Sequence, residues 1–251
     1  MKRSAASRPF YADDLAHVHD AGFRTFADRA APEVLRRLGR ARRGGRVVEI
    51  GCGSGALTRH LTRAGFLVVA LDTSAAMVRL ARRNAPGARF RVASWGDLAP
   101  PRCDAMVAVG ECFNYMAAPR ARDHVAALRR FFRRAAAALP PGGLLLFDFL
   151  EPHRERPRRR SVETWGDDWT VLVAIGEGRA HRVLTRHITT IRTIGGRARL
   201  SVEVHRQCLL RRGEIENALR TAGFTVRFRA GYGRRRLQPG QVVADAVRLG
   251  T

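Results

Sequence analysis

Lysine is all but missing from this chain. Lys2 stands alone, and the other 45 of the 46 basic residues are arginine. Against 22 acidic residues this leaves a formal net charge of +24. Such a balance admits a nucleic acid or another acidic partner. The one-sided arginine usage beside many alanines also reads as a GC-rich coding bias, and net charge informs solubility and non-specific binding rather than fold. Cysteine is scarce too. Cys52, Cys103, Cys112 and Cys208 are scattered with no C-x-x-C pair, which speaks against a disulfide framework and a zinc site, so no metal is expected. No stretch approaches the roughly 18 uninterrupted apolar residues of a membrane helix. Met1 to Tyr11 carries no apolar segment of the secretory kind, and no internal repeat is visible. The expectation is a cytoplasmic protein without a membrane span.

What is present is alternation of two periods. Asp13 to Phe26 and Pro32 to Arg42 read as helices. Val47-Val48-Glu49-Ile50 is a short β-branched run suited to a strand buried on both faces. Helical spacing follows over 56–64, a strand over 66–71, a helix from the N-cap Ser74 to Arg83, and strands near 90–93 and 105–109. A long amphipathic helix is predicted over 119–139, then a strand at Leu144 to Phe147. This order is the signature of a doubly wound parallel sheet.

Period-two runs then take over at 169–175, 183–191 and 198–204, separated by Gly176-Glu177-Gly178 and Gly195-Gly196 as hairpin signals. Arg154 to Arg160 reads as a charged loop. A closing helix through Ile215 and Leu219 and strands near 224–229 and 241–247 complete the chain. In the strand from Ala198 to Cys208, the alternation predicts Ala198, Leu200, Val202 and Val204 on the packing face. Ser201, Glu203, His205 and Gln207 fall on the other.

In an open α/β sheet, ligands sit at the carboxyl ends of the strands. Gly51-Cys52-Gly53-Ser54-Gly55 lies where the first strand ends, and its glycines allow close approach of backbone amides to a ligand. The run also fits the dinucleotide pattern G-x-G-x-x-A, and two acids separate the readings. Glu49 lies near where a pyrophosphate would, and would repel it, yet suits an ammonium and a sulfonium. Asp72, at the end of the second strand, can accept both hydrogens of a ribose diol. A nucleoside with a cationic tail satisfies both, and S-adenosyl-L-methionine is such a molecule.

At this point the chain resembles the class I S-adenosylmethionine-dependent methyltransferases of small-molecule type. VVEIGCGSG (47–55), VVALDTS (68–74), RVASWGDL (91–98), CDAMVAVGECFNYM (103–116) and LPPGGLLLFDF (139–149) follow in order, with a weaker tail over 203–224. The resemblance implies an α/β, Rossmann-like, doubly wound and mostly parallel seven-stranded sheet with an antiparallel β insertion after the fifth strand. It further implies an N-terminal helical lid (1–43), a core (44–150 and 209–251) and an insertion roofing the substrate (151–208). Carried over by position, Gly51, Gly53 and Gly55 cradle the methionine part and Asp72 binds the ribose. Trp95, Gly96 and Asp97 frame the adenine, Gly110 lies beside the sulfonium, and Tyr11, in the N-terminal helix, matches the lid tyrosine. Glu49, Thr73 and Met77 complete the cofactor set.

Methyl transfer from a sulfonium rests mostly on holding donor and acceptor in line, with a general base needed only for a protonated acceptor. His205, Glu111 and Tyr115 are the catalytic candidates, with His17 and His19 behind them. The partner implied is a small-molecule acceptor methylated on N or O, in a monomer or homodimer. The basic charge keeps a nucleic-acid acceptor as the alternative. Against it, the fourth-strand motif is Gly110-Glu111-Cys112-Phe113-Asn114-Tyr115 rather than the Asn/Asp-Pro-Pro-aromatic turn of base-amine methyltransferases. A cysteine nucleophile is disfavoured because Glu111 adjoins Cys112 and raises its thiol pKa. A cofactor-binding protein without activity is the third reading.

Overall fold

The computed structural model describes residues 10–39, 44–116, 120–153, 159–178 and 182–250. In chain order the elements are α1 (Asp13–Gly22), α2 (Thr25–Leu38), β1 (Arg46–Ile50), α3 (Ala56–Arg63), β2 (Leu67–Asp72), α4 (Ala75–Asn84), β3 (Arg89–Val92) and β4 (Ala105–Ala108). A single 3-10 turn (Cys112–Asn114) precedes α5 (Ala121–Ala138), β5 (Leu144–Leu150), β6 (Arg159–Trp165), β7 (Trp169–Glu177), β8 (Val183–Ile194) and β9 (Arg197–Cys208). Then come α6 (Arg212–Thr221), β10 (Phe224–Arg229), the short β11 (Gly231–Tyr232) and β12 (Arg235–Arg236), and β13 (Gln241–Arg248).

Seven strands form one sheet in the order β10-β13-β5-β4-β1-β2-β3. The β4–β5, β1–β4, β1–β2 and β2–β3 pairs are parallel, while β13 runs antiparallel to both β5 and β10. This is the Rossmann-like architecture expected. Strand order reverses between β1 and β4, so the loops after those two strands flank the crevice in which such sheets bind ligands. The central strands are apolar on both faces because helices cover both. Leu145, Phe147 and Phe149 pack toward α5 and α6, whereas Leu144 and Leu146 join Val47, Val68 and the α2 and α3 side chains.

The insertion is a four-stranded antiparallel meander, β6-β7-β8-β9. Its first strand begins at Arg159, inside the segment expected to be loop; Arg154 to Arg158 lie outside the described residues. The helix expected over 32–42 starts earlier, at Thr25, and carries Pro32 in its interior, while residues 40–43 lie outside the described ones. Tyr11, expected within the N-terminal helix, instead precedes α1 with a φ of 57°.

The face prediction for β9 is overturned. Leu200, Val202 and Val204 are the exposed side (64, 49 and 50%), and His205 and Gln207 are buried (1 and 0%). Register gives the reason. Ser201, Glu203 and His205 pair with Thr190, Ile188 and Arg186, and so lie on the same face as Val171, Val173 and Ile175 of β7. Trp169, Val171 and Ile188 of that face pack on Leu15 and Val18 of α1. The apolar packing therefore comes from the middle strands, and β9 contributes polar groups to the interior.

Candidate active site

The loop from Gly51 to Gly55 turns β1 into α3 with positive φ at all three glycines (67°, 53° and 87°). A Cβ at Gly51 would lie 2.3 Å from Cys112 Sγ, and one at Gly55 3.0 Å from the Ala81 backbone, so both positions exclude a side chain by contact as well as by φ. Gly53 N donates to Asp72 Oδ2 at 2.9 Å, and Ser74 N donates to Asp72 Oδ1 at 2.8 Å. The acid is thus fixed by two amides while each oxygen keeps acceptor capacity.

The crevice beside this loop is a cavity with about 1060 Å³ of empty space, part of it open to solvent. Glu49, Gly51, Gly53, Asp72, Thr73, Met77, Trp95, Gly110, Tyr11 and Tyr115 line it, as do Phe10, His19, Ser94, Cys112 and Met116. Gly55, Gly96 and Asp97 are not on the wall; Gly96 instead accepts from Arg134 through its carbonyl at 2.7 Å. Trp95 both reaches the cavity and packs edge-on against Phe113, His124 and Phe131.

Burial sets the electrostatics. It pushes the Glu49 carboxyl up to about 8, only partly opposed by the 2.6 Å hydrogen bond from Thr58 Oγ1. Asp72 is also raised by burial, against the lowering effect of its amide donors. His19, which sequence reasoning ranked low, sits beside Gly53 with its Nδ1 buried and unpartnered, and burial holds it near 4, hence neutral. His17 instead meets Asp168, in the turn between β6 and β7, at 3.4 Å.

The far wall is built by the loop after β4. Asn114, fully buried, donates to the carbonyls of Leu150 and Cys208 and accepts from Leu150 N, which locks this loop between β5 and β9. Asp148 accepts from Gly110 N (2.8 Å), Glu111 N (2.9 Å) and Tyr232 Oη (2.7 Å), and burial raises it to about 6. Glu111 and Tyr11 are the two non-glycine residues with positive φ among those described, and both stand at this end of the site. Burial acts to raise Glu111, but Arg186 at 2.9 Å with the amides of Gln207 and Gln241 outweighs it and keeps the carboxylate below its ordinary range.

Of the three catalytic candidates, Tyr115 alone lines the cavity. Its hydroxyl lies 2.8 Å from that of Tyr11, and burial lifts both phenols above their usual range, so they stay neutral. His205 stands one layer back, 4.9–5.8 Å by ring centroid from Phe10, Tyr11 and Tyr115. Glu111 faces away toward Arg186. Glu203, which the sequence reading placed beside His205 without a role, accepts from His205 Nε2 at 2.8 Å and from the amides of Tyr11 and Ala12. Its two-residue spacing from His205 on one strand was the available signal.

The known proteins that this chain is similar to are methyltransferases. A methyltransferase-domain family model matches residues 23–227. A ubiquinone biosynthesis O-methyltransferase of Methylobacterium sp. (strain 4-46) is 37% identical over 131 residues, 52% of this chain and 48% of that protein. The chain thus spans about half the length, or less, of the first curated relatives it matches. Among solved structures, an S-adenosylmethionine-dependent methyltransferase from Clostridium acetobutylicum ATCC 824 superposes with a TM-score of 0.78 at 15% identity, covering 94% of this chain and 98% of that one. CalS10, an amino pentose methyltransferase from Micromonospora echinaspora, gives 0.72 at 22% identity, covering 92 and 96%. These structural likenesses establish the fold.

Proposed function

The chain belongs to the methyltransferase-domain family, and from that premise we propose that it is an S-adenosylmethionine-dependent enzyme methylating N or O of a small-molecule acceptor. The observation that carries the reading is the pair of acids, buried Glu49 and half-buried Asp72, on one cavity wall at either side of the glycine loop. They suit a ligand that is cationic at one end and carries a diol. His19 Nδ1 on the same wall, unpartnered among the described residues, adds a polar atom with which a ligand can pair.

Bound S-adenosylmethionine supplies an electrophilic methyl on a sulfonium whose sulfur leaves neutral. Asp72 would accept the ribose hydroxyls, Glu49 would face the ammonium, and Thr73, Met77, Ser94 and Trp95 would form the nucleoside wall. The amides of Gly51 and Gly53 approach closely because no Cβ intervenes. Phe10, Tyr11, Tyr115 and Met116 form the acceptor side and exclude water from it. The roof of β6–β9 and the N-terminal segment restrict that side to compact acceptors, and His205 is its candidate proton acceptor. The reading places the enzyme in the cytoplasm on its scattered cysteines; among the described residues no helix is long and apolar enough to cross a membrane.

Calorimetry with S-adenosylhomocysteine, followed by a methyl-transfer screen over small amines and alcohols, tests the proposal. Binding with turnover on a compact acceptor is expected. Absence of donor-product binding by the folded chain overturns it.

A further inference from the structure

Two buried polar atoms on the inward face of β9 have no partner among the described residues. They are His205 Nδ1 and Gln207 Oε1. The two side chains are 1 and 0% exposed and lie two residues apart, on one face of one strand. In each case a carboxylate dictates which atom is left over. Glu203 can only accept, so His205 Nε2 carries the hydrogen of their 2.8 Å bond, and in the neutral ring Nδ1 is then a bare acceptor. Glu111, held ionised by Arg186, accepts from Gln207 Nε2 at 3.1 Å, which leaves Oε1 as the free end of the amide.

Unpaired buried acceptors call for a donor. We infer that this pair is the subsite for the acceptor's reacting group, and that the group is an amine donating one N–H to His205 Nδ1 and another to Gln207 Oε1. A hydroxyl has a single hydrogen and leaves one of the two atoms unpaired. Charge agrees: Glu111 and Arg186 neutralise each other, so the uncompensated charge beside the pair is that of Glu203. The rings of Phe10, Tyr11 and Tyr115 that screen His205 from the cavity offer π faces to an ammonium.

Glu203 is then a positioning residue acting through His205. It also accepts from the amides of Tyr11 (2.8 Å) and Ala12 (2.9 Å), so the docked N-terminal segment and the oriented imidazole share one carboxylate. The bound amine reacts as the neutral base, its two N–H held by Nδ1 and Oε1 and its lone pair left free for the methyl. The N–CH3 bond forms as the S–CH3 bond breaks, sulfur keeps the electron pair of that bond, and the methylammonium so formed passes one proton to Nδ1.

The inference deepens the proposed methyl transfer and is tested separately from it. In the free chain labelled with 15N-histidine, NMR should show His205 protonated on Nε2, with the H205N spectrum assigning the resonance. Titration of the wild type with cyclohexylamine should shift the Nδ1 resonance, cyclohexanol should bind at least about tenfold more weakly, and Q207L should lose about tenfold in amine affinity, the scale of one hydrogen bond. A wild-type proton on Nδ1, or cyclohexanol binding as well as the amine, overturns the inference. So does a His205 resonance that cyclohexylamine leaves unmoved, which would mean that the two atoms bind water only. A chain that shows these shifts yet binds no S-adenosylhomocysteine would defeat the donor reading and leave the amine subsite standing.

Discussion

Gly53 N and Asp72 Oδ2 are joined by a 2.9 Å hydrogen bond that ties the loop after β1 to the last residue of β2. The same carboxylate holds Ser74 N, the N-cap residue of α4, so one side chain ties the glycine loop and the start of α4 together at the crevice. Asp72→Ala is expected to weaken S-adenosylhomocysteine binding by about 1.5–3 kcal/mol, the scale of hydrogen bonds to a charged group. Isothermal calorimetry checks this, and an unchanged affinity would remove Asp72 from the site.

Gly51 and Cys112 meet where two loops cross. A methyl group at residue 51 would fall 2.3 Å from Cys112 Sγ, on a backbone with φ of 67°. Gly51→Ala should therefore cost about 1–3 kcal/mol from overpacking, with backbone strain in addition. Cys112→Ala in the same chain should recover part of that loss by removing the sulfur, while the strain persists. Urea denaturation of the four proteins of the cycle measures the coupling.

His205 provides the kinetic test. His205→Ala should lower turnover by about 10²–10⁴-fold if the imidazole takes the acceptor's proton, and far less if it only positions the acceptor. Donor affinity should stay nearly unchanged, since the wall proposed for the donor comes from the loops after β1, β2 and β4 and His205 is not part of it. Steady-state kinetics with varied donor and acceptor separates these outcomes. Turnover and acceptor KM equal to wild type would leave His205 with a structural role alone.

Much of this was legible because helix and strand periods differ. The runs Val47–Ile50 and Leu144–Phe147 are apolar at every position except Glu49, as two helix-covered faces require, and they became the parallel core. That Glu49 and Asp72 line the crevice was legible because each stands at the end of a strand beside a glycine loop, where an open α/β sheet leaves its cavity. The orientation of β9 was not legible. Alternation separates two faces but does not say which one is covered, and here Glu203, His205 and Gln207 find partners inside while Leu200, Val202 and Val204 face outward. Nor does sequence reveal that Asp148 and Tyr232, 84 residues apart, meet under the Gly110–Glu111 peptide. Long-range polar pairs carry no periodic signal.

The +24 charge gives a prediction about salt. The basic side chains are spread over several elements, and Arg36, Arg37, Arg59, Arg79, Arg182, Arg186, Arg192 and Arg199 are each paired with an acid. Binding to an RNA or DNA oligomer should thus be present at low ionic strength and fall steeply as salt rises, without sequence preference. Fluorescence anisotropy between 50 and 200 mM salt, roughly the span over which phosphate contacts are lost, is the measurement. Tight binding that persists across that range would favour the nucleic-acid acceptor.

Glu49 couples donor binding to pH. Its carboxyl is buried and raised to about 8, so near pH 7 the free chain holds it mainly protonated. A cation placed beside it favours the ionised form and draws its pKa down. Donor binding at pH 7 should therefore release protons, approaching one per site. Affinity should rise as pH increases toward 8, where the free chain already has Glu49 ionised, and level off above it. His19 does not contribute in this window, since it is held near 4 and is neutral on both sides of it. Glu49→Gln keeps an oxygen that can accept from Thr58 Oγ1 but cannot ionise. The variant should bind the donor more weakly at pH 8 and show a flat pH profile. Calorimetry in phosphate and in Tris, two buffers with different ionisation enthalpies, counts the released protons directly. Proton release in the variant equal to that of the wild type would assign the coupled group elsewhere.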